Sequence, residues 1–110
     1  MSVQPIRPII SSLSTDADMA ELIDMYVEEM GGRAQTLRAS LESGNWKSLV
    51  NEAHKIRGSA GGHGFATIGA NAACLEDELR RCAGNEGAVM QSIKQQVDEL
   101  IGMCLRAKAR

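Results

Sequence analysis

The densest chemistry in the chain lies between His54 and Phe65. His54 is followed by Arg57 three residues on and by Gly58 four residues on. Positions three and four apart share one face of a helix, so an imidazole, a guanidinium and a bare stretch of backbone stand side by side. A neutral imidazole is a nucleophile near pH 7, and one of its two nitrogens must be held for the other to react. A glycine inside a helix costs about 1 kcal/mol relative to alanine, which calls for a reason. Close approach of something large to the histidine is one such reason; a tight contact between helices is the plainer one. A lone helical histidine is most often only a surface residue, so its neighbours carry the case. Asn51 lies one turn back and Lys47 two turns back, while Lys55, though adjacent in sequence, points to another side.

These residues need a helix to hold them, and the apolar spacing supplies one. Trp46, Leu49, Val50, Ala53, Ile56 and Ala60 recur at helical intervals behind Asn45, a plausible N-cap. Gly61, Gly62 and Gly64 end this segment. His54 follows Ala53 of the inner stripe and therefore sits at its edge, half packed and half wet. A preceding helix is read from Met19, Leu22, Ile23, Tyr26, Val27, Met30, Ala34, Leu37 and Leu41. Ser14 or Thr15 is expected to cap it, Gly31–Gly32 to bend it and Ser43–Gly44 to stop it. A third helix carries Phe65, Ile68, Ala72, Leu75, Leu79 and Cys82, closed by Gly84–Asn85. A fourth carries Val89, Met90, Ile93, Val97, Leu100, Ile101 and Cys104, ahead of a basic tail from Arg106 to Arg110. No segment alternates with the period of a strand.

Four amphipathic helices with short connections predict an all-α chain, an antiparallel up-and-down four-helix bundle. The bundle is expected to span residues 15–110, behind an extended N-terminal leader of residues 1–14 in which Ile9, Ile10 and Leu13 pack against the body. Trp46, Tyr26 and Phe65 are the only aromatic residues, so the core must be aliphatic, which suits helices. Twelve basic residues against 14 acidic ones give a formal net charge of -2, which offers no case for nucleic acid or a membrane surface. No apolar run is long enough to span a bilayer, and Met1–Pro8 has no signal-peptide stretch. Cys74, Cys82 and Cys104 lack metal-type spacing and read as reduced core or near-core thiols of a cytoplasmic protein.

The third helix adds Ala73, Glu76 and Arg80, just off its core stripe. From His54 to the centre of the glycine-rich turn is about nine residues, or about 13 Å of helix, and Glu76 lies about thirteen residues beyond it. If the two helices pair antiparallel, the loop and caps absorb part of that difference and Glu76 reaches His54.

With these residues in place the chain resembles the histidine-containing phosphotransfer (HPt) domains of two-component phosphorelays, from about Glu21 to Leu100. The specific core of the resemblance is His54-Lys55-Ile56-Arg57-Gly58-Ser59-Ala60 followed by Gly64-Phe65. In the family pattern a Lys or Arg stands three after the histidine, glycine four after and a second glycine ten after. Leu41 to Trp46 resembles the family's entry into that helix. The resemblance implies that His54 accepts a phosphoryl group from a receiver-domain aspartate or a kinase domain and hands it on. It places Glu76 where many members hold the active imidazole by a hydrogen bond, and Arg80 where some carry a cation near the phosphate. Arg57 would screen the phosphoryl oxygens, with Lys47, Lys55 and Arg80 as weaker candidates, and Gly58 would leave room for the partner.

The implied partners are a response-regulator receiver domain and a sensor or hybrid histidine kinase. The chain itself would need no cofactor, the Mg²⁺ and the acidic pocket coming from the receiver, so it is read as a phosphocarrier and not as an enzyme. Two departures stand out. His63 occupies a place that is usually apolar, just before the second glycine. Ala73 stands where chemotaxis kinases tend to carry a second histidine, which speaks against that type. The rival reading is a non-catalytic helical scaffolding or interaction module. A metal-binding bundle ranks last, because paired carboxylates and Glu-x-x-His positions are missing and His63 has no second ligand at a supporting spacing.

Overall fold

A computed structural model describes residues 7–110. The first six residues of the leader, and with them most of the signal-peptide question, lie outside the described part. Four helices follow one another: α1 (Ala20–Glu42), α2 (Trp46–Ser59), α3 (Ala66–Arg81) and α4 (Met90–Arg106). Each packs on its neighbour in sequence and α4 returns to α1, giving the antiparallel up-and-down bundle. Its interior is the aliphatic stripe of every helix. Leu37, Leu49, Ala53, Ile56, Ile68, Ala72, Leu75, Ile93, Val97 and Leu100 are fully buried. Each large aliphatic side chain among them stabilises the fold by about 1.5–3 kcal/mol relative to an exposed one.

The ends of the helices follow local chemistry. Asn45 caps α2, its side-chain oxygen accepting from the Ser48 amide at 3.1 Å. Gly44, at φ +67°, makes the turn before it. The helix α1 is not capped by Ser14 or Thr15. Asp16 caps a single 3₁₀ turn, Ala17–Met19, that leads into it, because the leader is tied down as far as Leu13 and the chain can coil only after that. The helix then runs unbroken through Gly31 and Gly32.

The leader is held more firmly than an extended segment lying on a bundle. Ile9–Ile10 (β1) pairs in parallel with Ala107–Lys108 (β2), a two-residue ladder too short to show a strand pattern. Successive side chains of a strand point to opposite sides, so Ile9 packs on the core while Ile10 is left exposed, against the expectation for Ile10. The basic tail accordingly leaves the helix at Arg106, and Arg110 pairs with Asp24 of α1 at 2.9 Å.

Three further expectations are corrected. Met90 is exposed, because it opens α4 at the end of the bundle, and Met103 is buried without having been anticipated. Cys74 is exposed, one position off the stripe that runs through Leu75, whereas Cys82 and Cys104 are buried. Burial pushes the Cys104 thiol up to about 11, so it stays protonated and inert.

Candidate functional site

The long contact between α2 and α3 sets the site. The helix α2 presents His54, Arg57 and Gly58 along its outer edge, and α3 answers with Glu76, Asp77 and Arg80. Glu76 follows Leu75 of the stripe and is only 3% exposed, which makes it an ionisable group inside the packed seam. A carboxylate in such a place has to be hydrogen-bonded. His54 Nδ1 lies 3.0 Å from Glu76 Oε2 and 3.2 Å from Oε1. Arg80 Nε donates to Oε2 at 2.8 Å, and Arg57 Nη1 donates to Oε1 at 3.3 Å. Burial works to raise the Glu76 carboxyl, but the hydrogen bonds from Arg80, His54 and Arg57 outweigh it and hold it below the usual carboxylate range.

That ionisation assigns the imidazole proton. An ionised carboxylate only accepts, so the nitrogen facing it must be the donor. Neutral His54 therefore carries its hydrogen on Nδ1, and the lone pair is on Nε2. Nε2 has no hydrogen-bond partner among the described residues, and the ring as a whole is 66% exposed. One turn on, a Cβ added at Gly58 would meet nothing within 4 Å. Gly58 is thus not a point of tight contact between helices; the space above it is open. The close glycine contact lies across the seam, where a Cβ at Gly69 would stand 3.5 Å from Ala60 Cβ.

The geometry brings His54, Arg57, Glu76 and Arg80 together, with the two arginines turned to carboxylates. Arg57 Nη1 also donates to Asp77 Oδ1 at 3.1 Å, a contact with no signature in sequence because the partner is on another helix. Lys55 stands apart: with Lys47, Asn51 and Glu52 it lines a groove of about 280 Å³ between α1 and α2, which His54 does not border. Ala73 is half-buried at the edge of the seam.

The turn beneath the site is fixed from two sides. His63 is half-buried, its ring stacked on Tyr26 with centroids 4.1 Å apart, and its Nδ1 donates to the Ser59 carbonyl at 2.7 Å. Ser59 Oγ in turn bonds Tyr26 Oη at 2.7 Å. An aromatic ring in the place of an aliphatic one thus finds both a stacking surface and an acceptor. No group of His, Cys, Asp and Glu among the described residues is arranged to hold a metal ion. Gly64 has φ +86°, and a Cβ there would overlap Ser11 Oγ and come within 2.8 Å of the Ser12 amide. The leader passes directly over this glycine, with Ser12 N donating to Gly64 O at 2.9 Å and the buried Ser11 hydroxyl donating to His63 O at 2.7 Å. Sequence reading missed Ser11 and Asp77. It also missed the buried Glu52, which pairs with Arg33 at 3.4 Å beneath Tyr26.

Comparison with known proteins adds one result. No curated protein and no solved structure matches the chain. A family model, described as Hpt domain, matches residues 21–107, a span that contains all four helices but for the first residue of α1 and takes in the whole His54–Glu76 seam. The chain belongs to the Hpt domain family, whose members carry phosphoryl groups on histidine in phosphorelays.

Proposed function

We propose that His54 is the phosphoacceptor and that it exchanges its phosphoryl group with the aspartate of a receiver domain, or takes it from a kinase domain. The observation that carries this reading is the pairing of an exposed ring with a buried carboxylate. Glu76 holds Nδ1–H at 3.0 Å, which leaves Nε2 as a nucleophile facing outward. As the N–P bond forms on Nε2, positive charge develops on the ring and Glu76 supports it. Arg57 and Arg80 keep Glu76 ionised, and Arg57 stands close enough to turn toward phosphoryl oxygens. The open backbone at Gly58 gives the partner's loops access.

Transfer of this kind is mainly positioning and charge stabilisation, so a carrier needs only a fixed nucleophile. The receiver supplies the Mg²⁺ and its acidic pocket. No helix among the described residues is long and apolar enough to cross a membrane. The reading places the exchange in the cytoplasm, where kinases draw on ATP, and the free thiols accord with a reducing compartment.

Incubation with receiver domains charged by acetyl phosphate and Mg²⁺ tests the reading. The expected product is an acid-labile, base-stable phosphate on Nε2 of His54, absent from His54→Gln, while the helical circular dichroism of that variant is unchanged. Incorporation at the wild-type rate in His54→Gln would move attention to His63. No incorporation from any receiver or kinase would favour the scaffolding module.

A further inference from the structure

Asp77 has no part in the reading above, yet it holds the cation nearest the imidazole. An Nη nitrogen of arginine carries two hydrogens. On Arg57 Nη1 both are committed, one to Glu76 at 3.3 Å and one to Asp77 at 3.1 Å. Glu76 and Asp77 are consecutive and point about 100° apart around α3. The first is buried in the seam and the second is on the rim, so the guanidinium bridges inside and outside. With His54 neutral, the charges of Glu76, Asp77, Arg57 and Arg80 cancel. A phosphoryl group on Nε2 brings close to two further negative charges to this balanced cluster. Arg57 then faces two acceptors. Its side chain is 45% exposed and that of Asp77 69%, so their ion pair is weak and readily given up.

We propose that Asp77 is a positioning residue that competes with the phosphoryl group of His54 for Arg57, and so limits how firmly the carrier holds its phosphate. The inference rests on His54 as phosphoacceptor. A carrier must release its cargo as well as take it, and an arginine wholly free to grip the phosphoryl oxygens would favour taking. Removing the Asp77 charge frees a hydrogen on Nη1 and leaves the cluster with one net positive charge. Both changes favour the phosphorylated form.

Phosphoramidate, a small phosphoryl donor, tests this on the intact chain without a partner. The donor's P–N bond breaks, a bond from P to His54 Nε2 forms, and ammonia leaves with the bonding pair. Initial loading rate and the half-life of the acid-labile phosphate are read for the wild type, Asp77→Asn, Asp77→Glu, Arg57→Ala and the double variant Arg57→Ala/Asp77→Asn, with thermal midpoints to monitor the fold. Asp77→Asn is expected to speed loading and lengthen the half-life by about two- to fivefold, the range that a weak exposed ion pair corresponds to. Asp77→Glu keeps the charge and should stay near the wild type. In the Arg57→Ala background the gain should vanish, because the competition has lost its object.

Unchanged or slower loading in Asp77→Asn overturns the proposal. So does an equal gain without Arg57, which would mean simple repulsion of the dianion by Asp77. A wild type that takes no phosphate, or takes it equally as His54→Gln, refutes the phosphoacceptor reading itself, and this inference falls with it.

Discussion

Replacing Glu76 by alanine separates a catalytic carboxylate from a structural one. Its carboxylate accepts from His54 Nδ1 at 3.0 Å, from Arg80 Nε at 2.8 Å and from Arg57 Nη1 at 3.3 Å. The three donors belong to side chains 66%, 58% and 45% exposed, so water can satisfy them once the carboxylate is gone. The variant buries no orphaned charge, and its cost in stability should stay near 1 kcal/mol, the net worth of an ordinary hydrogen bond. The cost in transfer should be larger. Without Glu76 the ring is free to rotate and to move its hydrogen to Nε2, and the positive charge developing in the transition state loses its support. A charge-assisted hydrogen bond of about 1.5–3 kcal/mol corresponds to a rate loss on the order of ten- to a hundredfold. Glu76→Gln should lose less, because an amide oxygen still accepts from Nδ1. The assay is a loading time course with phosphoramidate, together with two-dimensional ¹⁵N–¹H spectra of the imidazole, which distinguish the tautomers. The Nδ1–H form should dominate neutral His54 in the wild type and lose its dominance in Glu76→Ala. Unchanged spectra with unchanged rates would show that the 3.0 Å contact does not govern the ring, and would refute the assignment of Nε2 as the nucleophile.

Other outcomes follow from the same geometry. Gly58→Glu should leave stability unchanged or raise it by up to about 1 kcal/mol, since the site is open and glycine is a poor helix former. It should load normally from phosphoramidate and transfer poorly with a receiver domain that serves the wild type; normal receiver kinetics would mean that the partner does not pass over Gly58. Gly64→Ala should cost about 2 kcal/mol or more, because positive φ and contact with the leader both oppose a Cβ, and a denaturation midpoint equal to the wild type would contradict that packing. The depressed Glu76 carboxyl contributes stability that is fully present above its ordinary value of 4.5 and is lost as pH falls through its folded value. Urea midpoints of the wild type and Glu76→Gln should therefore converge on acidification from pH 7 to pH 3; a gap independent of pH would disprove the linkage.

The sequence by itself determined what depends on one stretch of chain. Spacings of three and four residues mark the inner stripes of all four helices, since helical periodicity is a property of the segment that carries it. The Asn45 cap and the shared face of His54, Arg57 and Gly58 were legible for the same reason. Even there, residues at helix ends such as Met90, and those one step off a stripe such as Cys74, could not be placed, because the stripe fixes a direction but not where the neighbouring helix stops covering it. What only the tertiary structure decided is everything that crosses between elements. Whether Glu76 meets Nδ1 depends on the rotation and axial shift of α3 against α2, which are set jointly by Ile56, Ala60, Ile68, Ala72 and Leu75 interlocking in the seam. The same packing turned Arg57 toward Glu76 and Asp77, although sequence alone would leave it facing water. Gly64 had no visible reason in its own segment. That reason is Ser11, 53 residues away, held over the turn by a two-residue ladder between the chain's ends. Pairings of that separation are fixed by the closure of the whole bundle, and no local pattern encodes them.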